Sequence, residues 1–354
     1  MAVPTPFKSI LAIKLRELGD IALWTSALDG LREAFPTSRM DVLIPQNAVP
    51  LLEMDPRIHT IHAVAQSRGA LFFKLLNLRK FHYDLALAFH ATTSLKRFLW
   101  LLGAKQTAIH HHSLRATPAQ SILNVPNAGA LENAVLRDWR NLQAVGIESK
   151  PSAPRLYVSE EKRNWAVRKL TELGYSWTLP ILVLLPGARV QSRRYPKENW
   201  LVVLETVLAK KTCFPVVLVD KNLSGAWGMK EICGRRKVPL FDDLNLSEVI
   251  AILSQGHVAV GNDSGLIHIC AALGLRTLTL FGPGCLGDWH PYDSRRNLAM
   301  QAEVDCRLNG PRDQKVFQYC TQHDCADLKC LKGIEPAQVT RTLASLLQVE
   351  FEAK

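Results

Sequence analysis

Long apolar runs are missing from this chain of 354 residues. No stretch approaches the roughly 20 residues that cross a bilayer as a helix. The opening residues, MAVPTPFKSI, lack the charged start and extended apolar core of a secretory signal, so the expected location is cytoplasmic. Acidic residues are scarce: 32 Asp and Glu stand against 43 Lys and Arg, a formal net charge of +11. The cations are scattered rather than gathered into one tract. That excludes a nucleic-acid tail and suits an acidic small ligand, an anionic membrane surface, or both. Eight cysteines in a chain this long do not form a disulfide framework, and no C-x-x-C pair occurs. Low-complexity segments and residue-level repeats are also absent. What remains is a globular composition, 47% apolar, with enough length for two domains that each have a core.

Apolar strands alternate with helical spacing along the first half. Ser9 to Leu15 reads as a buried strand, and Arg16, Glu17, Leu18, Gly19 and Asp20 as the turn after it. A helix follows, with Ile21, Trp24, Leu28 and Leu31 on one face, ending at Phe35-Pro36. Further strands are expected at Met40 to Ile44, Ile58 to Val64 and Leu85 to Phe89, with helices near Leu71 to Lys80, Leu95 to Leu102 and Asn133 to Val145. The alternation predicts a parallel, doubly wound sheet. Lys150-Pro151-Ser152-Ala153-Pro154 reads as a hinge, with Arg155 to Val158 as a candidate edge strand. The pattern then restarts at Pro180 to Leu185, with a second strand at Pro215 to Val219 and a helix at Ser247 to Ser254.

The stretch Val258 to Tyr292 organises the second half. It reads as a strand, the polar turn Gly261-Asn262-Asp263-Ser264-Gly265, a helix from Leu266 to Leu273, a stop at Gly274 and another strand. Such a turn aims unpartnered helical N–H groups above the strand ends, where a diphosphate is favoured. The simpler alternative is an ordinary turn capped by Asp263 or Ser264. Asp263 would repel a diphosphate, so a capping role or a sugar hydroxyl suits it better. The helix dipole stabilises a carboxylate at Asp20, which can then act as a general base or as a helix N-cap. The loop Gly187 to Pro196 follows a strand and carries Arg189, Arg193 and Arg194. Arginine there suits bidentate phosphate recognition, although a solvated loop also explains at least one of the three. Asp220, ending a strand, can accept from a ribose diol or start a turn.

Other motifs carry less. Gly282 to Gly287 matches G-x-G-x-x-G but is followed by Asp288-Trp289-His290-Pro291 instead of a helix, so it is read as a loop lid. Cys306, Cys320, Cys325 and Cys330 with His323 can be zinc ligands or free thiols, and thiols are favoured. His90 ends a strand, and His110, His111 and His112 read as a solvent-facing loop. Leu71 to Lys80 is either a membrane-touching segment or a core-facing helix with snorkelling cations.

Taken together, ILAIKLRELGDIALWTSALDGLREAFP, HYDLALAFH, QSRRYPKENW, and GNDSGLIHICAALGLRTLTLFGP followed by DWHPY resemble the bacterial lipopolysaccharide heptosyltransferases, family nine of the glycosyltransferases. The match runs in order over nearly the whole chain. The resemblance implies an α/β chain with a GT-B fold: two Rossmann-like, doubly wound parallel-sheet domains facing a central cleft. Residues 1–155 would bind the acceptor, residues 156–335 the nucleotide sugar, and a helix in 336–354 would cross back toward the first domain. It implies an inverting transfer without cofactor or metal, from an ADP-heptose to a phosphorylated, lipid-linked inner-core glycan. Peripheral contact with the cytoplasmic face of the inner membrane is expected, and no nucleic acid. By motif position Asp20 is the base. Gly19, Ala188, Arg189, Ser192, Arg193, Asp220, Leu244, Asp263, Ser264, Gly265 and His268 line the donor, and Arg16 and His90 the acceptor. Arg193 stands where the family usually has Lys, which keeps the charge and changes the geometry. The alternatives are another nucleotide sugar or a binding protein without transfer activity. A dinucleotide oxidoreductase lacks a properly placed fingerprint.

Overall fold

In SILAI, the first strand, every residue after Ser9 is buried, as expected of a strand covered on both faces. The computed structural model describes residues 7–110, 122–125, 132–308 and 325–348. The chain divides into two units, Met1–Tyr157 and Val158–Lys354. The first runs β1 (Ser9–Ile13), α1 (Leu18–Ala34), β2 (Arg39–Pro45), α2 (Val49–Leu52), β3 (Thr60–Val64), α3 (Arg68–Leu78), β4 (Leu85–Ala88), α4 (Thr93–Phe98), β5 (Gln106–His110), β6 (Ile122–Val125) and α5 (Ala134–Gln143). The second begins α6 (Glu160–Glu172), β7 (Ile181–Leu185), α7 (Lys197–Lys210), β8 (Phe214–Leu218), α8 (Lys221–Trp227), α9 (Met229–Arg236) and β9 (Leu240–Phe241). It continues α10 (Leu246–Leu253), β10 (Val258–Asn262), α11 (Gly265–Ala272), β11 (Arg276–Phe281), α12 (Leu286–Trp289) and β12 (Asn297–Gln301). It closes with α13 (Asp305–Leu308), α14 (Lys329–Lys332) and α15 (Pro336–Leu347).

Each unit holds one six-stranded sheet, ordered β3-β2-β1-β4-β5-β6 and β12-β11-β10-β7-β8-β9. The central pairs are parallel throughout. Counted from its own first strand, each sheet has the same order, and strand order reverses between β1 and β4 and between β7 and β10. Ligands in open α/β sheets bind outside the strand C-termini at this reversal.

In the first unit α1 buries residues almost all round. Gly30 permits this: a Cβ there would lie 2.4 Å from Trp139 and 2.7 Å from Leu142, both on α5. In the second unit Leu182, Trp200, Val217, Val260 and Leu278 share a core with Val339, Leu343, Leu346 and Leu347 of α15. The last helix, expected from the resemblance to cross back toward the first domain, thus packs its apolar face on α7, β10 and β11 of its own unit.

The Pro-bearing segment expected as a hinge is tied to the first unit instead. Ser26 Oγ donates to the Ser152 carbonyl at 2.6 Å, and Arg155 pairs with Asp29 at 2.8 Å. Arg57 donates to the Arg155 carbonyl and stacks on Tyr157. Arg155 and Tyr157 are thus engaged by side chains of the first unit, and residues 155–158 form no strand.

Candidate active site

Four residues separate the end of β1 from the start of α1, and they set up the first unit's polar cluster. α1 starts at Leu18, three residues earlier than the expected Ile21, so Asp20 sits inside its first turn. The N-cap is Glu17, without a side-chain cap bond, which removes the capping role considered for Asp20. The Asp20 side chain is 12% exposed, and no hydrogen bond reaches its Oδ1 among the described residues. His90 Nδ1 lies 3.7 Å and Arg137 Nη2 4.0 Å from that oxygen.

His90 follows β4 with φ of 46°, a left-handed backbone that L residues enter at a cost of about 1–2 kcal/mol. Arg16 braces this bend: its Nε donates to the His90 carbonyl at 2.7 Å. Burial lowers the pKa of Arg16, with Asp20 opposing the shift. Lys14, directly after β1, is fully buried and pairs with Asp138 of α5 at 2.5 Å. Burial pushes its ammonium below its ordinary value, against the pull of Asp138 and Asp20. Asn141, also on α5, donates to the Ala88 carbonyl at the end of β4. One face of α5 therefore sends Arg137, Asp138 and Asn141 to the strand ends. Sequence reading missed Lys14, Arg137 and Asp138. It also placed His110 in a solvent-facing loop, whereas His110 ends β5 with no exposed surface, its ring centroid 6.0 Å from that of His90. His111 and His112 lie outside the described residues.

The second unit's polar cluster is built around Asn262, the last residue of β10. Its Nδ2 donates to the Pro186 carbonyl at 2.8 Å, and its Oδ1 accepts from the Tyr195 amide at 2.9 Å. Both ends of the arginine loop are thereby pinned to the strand that carries the donor turn. Tyr195 is anchored further, its hydroxyl donating to the Ile334 carbonyl at 2.6 Å. The three arginines part ways. Arg194 donates to the Ala188 carbonyl inside its own loop. Arg193 pairs with Asp263 at 3.0 Å and stays 34% exposed, leaving N–H groups to meet a ligand. Arg189 is exposed.

Asp263 is 3% exposed, so burial raises its pKa, with Arg193 opposing. A Cβ on Gly284 would stand 2.1 Å from its Oδ2, so only glycine leaves room for this carboxylate. Asp263 therefore faces Arg193, and the cap position of α11 falls to Ser264 instead. The N-cap of α11 is Ser264, with no side-chain cap bond, and Gly265 is its first helical residue. The Ser264 and Ser192 hydroxyls are buried without a partner among the described residues. Uncapped amides with two unpaired hydroxyls in neighbouring turns can hold a phosphate. His268 is buried in α11.

The remaining expected residues lie at other strand ends. Gly19 is buried in α1. Asp220 is exposed and caps α8, its Oδ1 accepting from the Leu223 amide at 2.9 Å. Leu244 is half-buried between β9 and α10. The segment read as a loop lid contains the one-turn helix α12, and Gly282 abuts Leu331. Cys320 and His323 lie outside the described residues. No group of three His, Cys, Asp or Glu able to hold a metal occurs among the described ones.

Comparison with known proteins agrees with this architecture. The sequence model of Glycosyltransferase family 9 (heptosyltransferase) matches residues 75–314. The chain is 25% identical to lipopolysaccharide heptosyltransferase 3 of Escherichia coli over 318 residues, covering 85% of this chain and 91% of that protein. Its fold is similar to that of a family 9 glycosyl transferase from Veillonella parvula, with a TM-score of 0.82 at 19% identity over 98% of this chain and 99% of that one. The E. coli ADP-heptose lps heptosyltransferase II gives 0.71 at 18% identity, over 96% and 98%. The fold is thus GT-B, with two Rossmann-like parallel-sheet units.

Proposed function

From the premise that this chain belongs to glycosyltransferase family 9 (heptosyltransferase), we propose that it moves a heptose from ADP-heptose to a phosphorylated, lipid-linked inner-core glycan with inversion. The observation that carries the reading is the state of Asp20: 12% exposed, ringed by cations at a strand-order reversal, its Oδ1 accepting no hydrogen bond among the described residues. A carboxylate so placed keeps an unused acceptor for an incoming hydroxyl. ADP as the nucleotide is supported by the name of the heptosyltransferase II whose fold this chain resembles.

In the reaction, Asp20 takes the proton of the acceptor hydroxyl as that oxygen bonds to the anomeric carbon. The bond from that carbon to the diphosphate breaks on the opposite face, which inverts the configuration. The departing ADP gathers charge on its terminal phosphate. Arg193, the Ser264 hydroxyl and the first amides of α11 meet that charge; preorganised donors of this kind supply much of a transfer enzyme's rate. Arg16, His90 and Arg137 are the groups through which the first unit would hold an anionic acceptor.

Asp20→Asn keeps the shape and removes the base. Turnover should fall on the order of 10²–10⁴-fold while the affinity for ADP-heptose is unchanged, measured by coupled ADP release and by calorimetry. Normal turnover in this variant removes Asp20 from the mechanism. Thermal-shift titration with ADP-, UDP-, GDP- and dTDP-sugars tests the donor, because ligand bound to the native state raises Tm with its occupancy. The largest shift is expected with ADP-heptose, and a larger one with another nucleotide overturns the donor assignment.

A further inference from the structure

We infer that the first unit carries a docking surface for an anionic lipid bilayer, built from Phe73 and Leu76 of α3 and Trp100 of the one-turn 3-10 helix Leu99–Leu102 that follows α4. These side chains are 69%, 45% and 56% exposed. They are fixed rather than dangling. Phe73 packs edge-on to Phe72 at 5.5 Å, and Phe72 edge-on to Phe98 of α4 at 5.6 Å. Phe72 and Phe98 in turn rest on the core formed by Leu71, Leu75, Leu95 and Leu99. A Cβ on Gly103 would meet Arg79 at 3.3 Å, so the end of α3 lies against the residue that closes the 3-10 helix. The apolar groups therefore sit on adjoining elements.

Charge selects the occupant. Between Arg68 and Lys105 the chain has seven Lys and Arg and one acidic residue, Asp84. Asp84 is engaged by Lys105 at 2.7 Å and by the amides of Lys8 and Ser9. Among the described residues no carboxylate pairs with Arg68, Lys74, Arg79, Lys80 or Arg97. Exposed Trp and Phe beside unneutralised cations are the composition of an interfacial membrane contact: the rings enter the headgroup layer and the cations meet anionic lipid. No helix among the described residues is long and apolar enough to cross a membrane, so the contact is with the surface. The inference deepens the reading above, since a lipid-linked acceptor is presented at a bilayer.

Sedimentation of the full chain with phosphatidylethanolamine–phosphatidylglycerol vesicles, against phosphatidylcholine vesicles, tests it. The wild type should pellet with the anionic vesicles and stay in solution with the neutral ones. Phe73→Ala with Trp100→Ala, and separately Lys74→Glu with Arg97→Glu, should each lower partition on the order of tenfold. Trp177→Ala, which removes an exposed aromatic of the second unit, should bind as wild type. The ADP thermal shift, measured on every variant, reports folding and the donor site. Wild type that ignores phosphatidylglycerol overturns the proposal, as do double variants that bind like wild type. So does a lipid-free change of oligomeric state in the aromatic variant, which would assign the patch to a second copy of the chain. Vesicle binding without any ADP shift in the wild type would leave the surface standing and sink the donor reading instead.

Discussion

Lys14 shows how a single buried charge organises the first unit's polar cluster. It is fully buried, and its 2.5 Å contact with Asp138 joins β1 to α5 across 124 residues of chain. Removing one partner of such a pair strands the other in low dielectric, whereas removing both is often close to neutral. Lys14→Met should therefore destabilise the protein by about 3–5 kcal/mol in urea unfolding. Adding Asp138→Leu should recover most of that loss without restoring turnover, since the Lys14 charge that acts on Asp20 is still missing. If the double variant regains activity, the pair is structural only. At this scale the legible placements were those set within a few residues of chain. Asp20, Ser264 and Gly265 sit in strand–turn–helix segments that a short window of sequence displays. Arg137 and Asp138 were not legible: as adjacent opposite charges on a helix they look like a solvated face, and only the packing of α5 on α1 turns them inward.

Among the elements, α1 and α5 depend most on a single position. Gly30 lets Trp139 and Leu142 come within the space that a Cβ would fill. Gly30→Ala must push α5 outward, at a cost of about 1–3 kcal/mol for an overpacked core site. Because Arg137, Asp138 and Asn141 ride on that helix, turnover should fall more than stability does. Comparing kcat with Tm checks this, and a loss of Tm without loss of kcat would show that α5 plays no part in positioning. Helices were expected in nearly the right places, while their ends differed. α1 begins at Leu18 and α11 at Gly265 because backbone geometry alone, without a side-chain cap, starts each. The four-residue α12 has no apolar period to read.

Across the whole molecule, acid should weaken the first unit before the second. Burial alone would raise the Asp29 and Asp41 carboxyls, but Arg155 and Arg57 hold Asp29 below its ordinary value, and His62, Tyr83 and Arg39 do the same for Asp41. Lys105 lowers Asp84 likewise. Carboxyls depressed by folding contribute stability that is complete above the ordinary range near pH 4 and is lost as pH falls through their folded values. In the second unit burial alone would raise Asp242, but Ser224 and Lys230 lower it. Burial raises Asp263, the opposite sign, so protonating Asp263 relieves a cost and offsets the loss at Asp242. Hydrogen exchange followed from pH 6 downward should show the amides of β1 and β2 opening ahead of those of β7 and β10. The reverse order would mean that other groups govern acid unfolding.

The alternation of apolar strands with helices, written twice, determined by itself that this chain makes two parallel α/β units, because burial on both faces of a strand and one face of a helix leaves that period in any sequence. The strand–helix junctions beside Asp20 and Ser264 were legible in the same way. Tertiary structure alone decided the strand order that puts those turns at the reversals of the two sheets. It also decided that Lys14 finds Asp138, that Arg193 finds Asp263, and that Phe73 reaches Phe98 through Phe72. The physical reason is separation along the chain: a contact between distant residues follows from how whole elements pack, and no local window of residues carries that information.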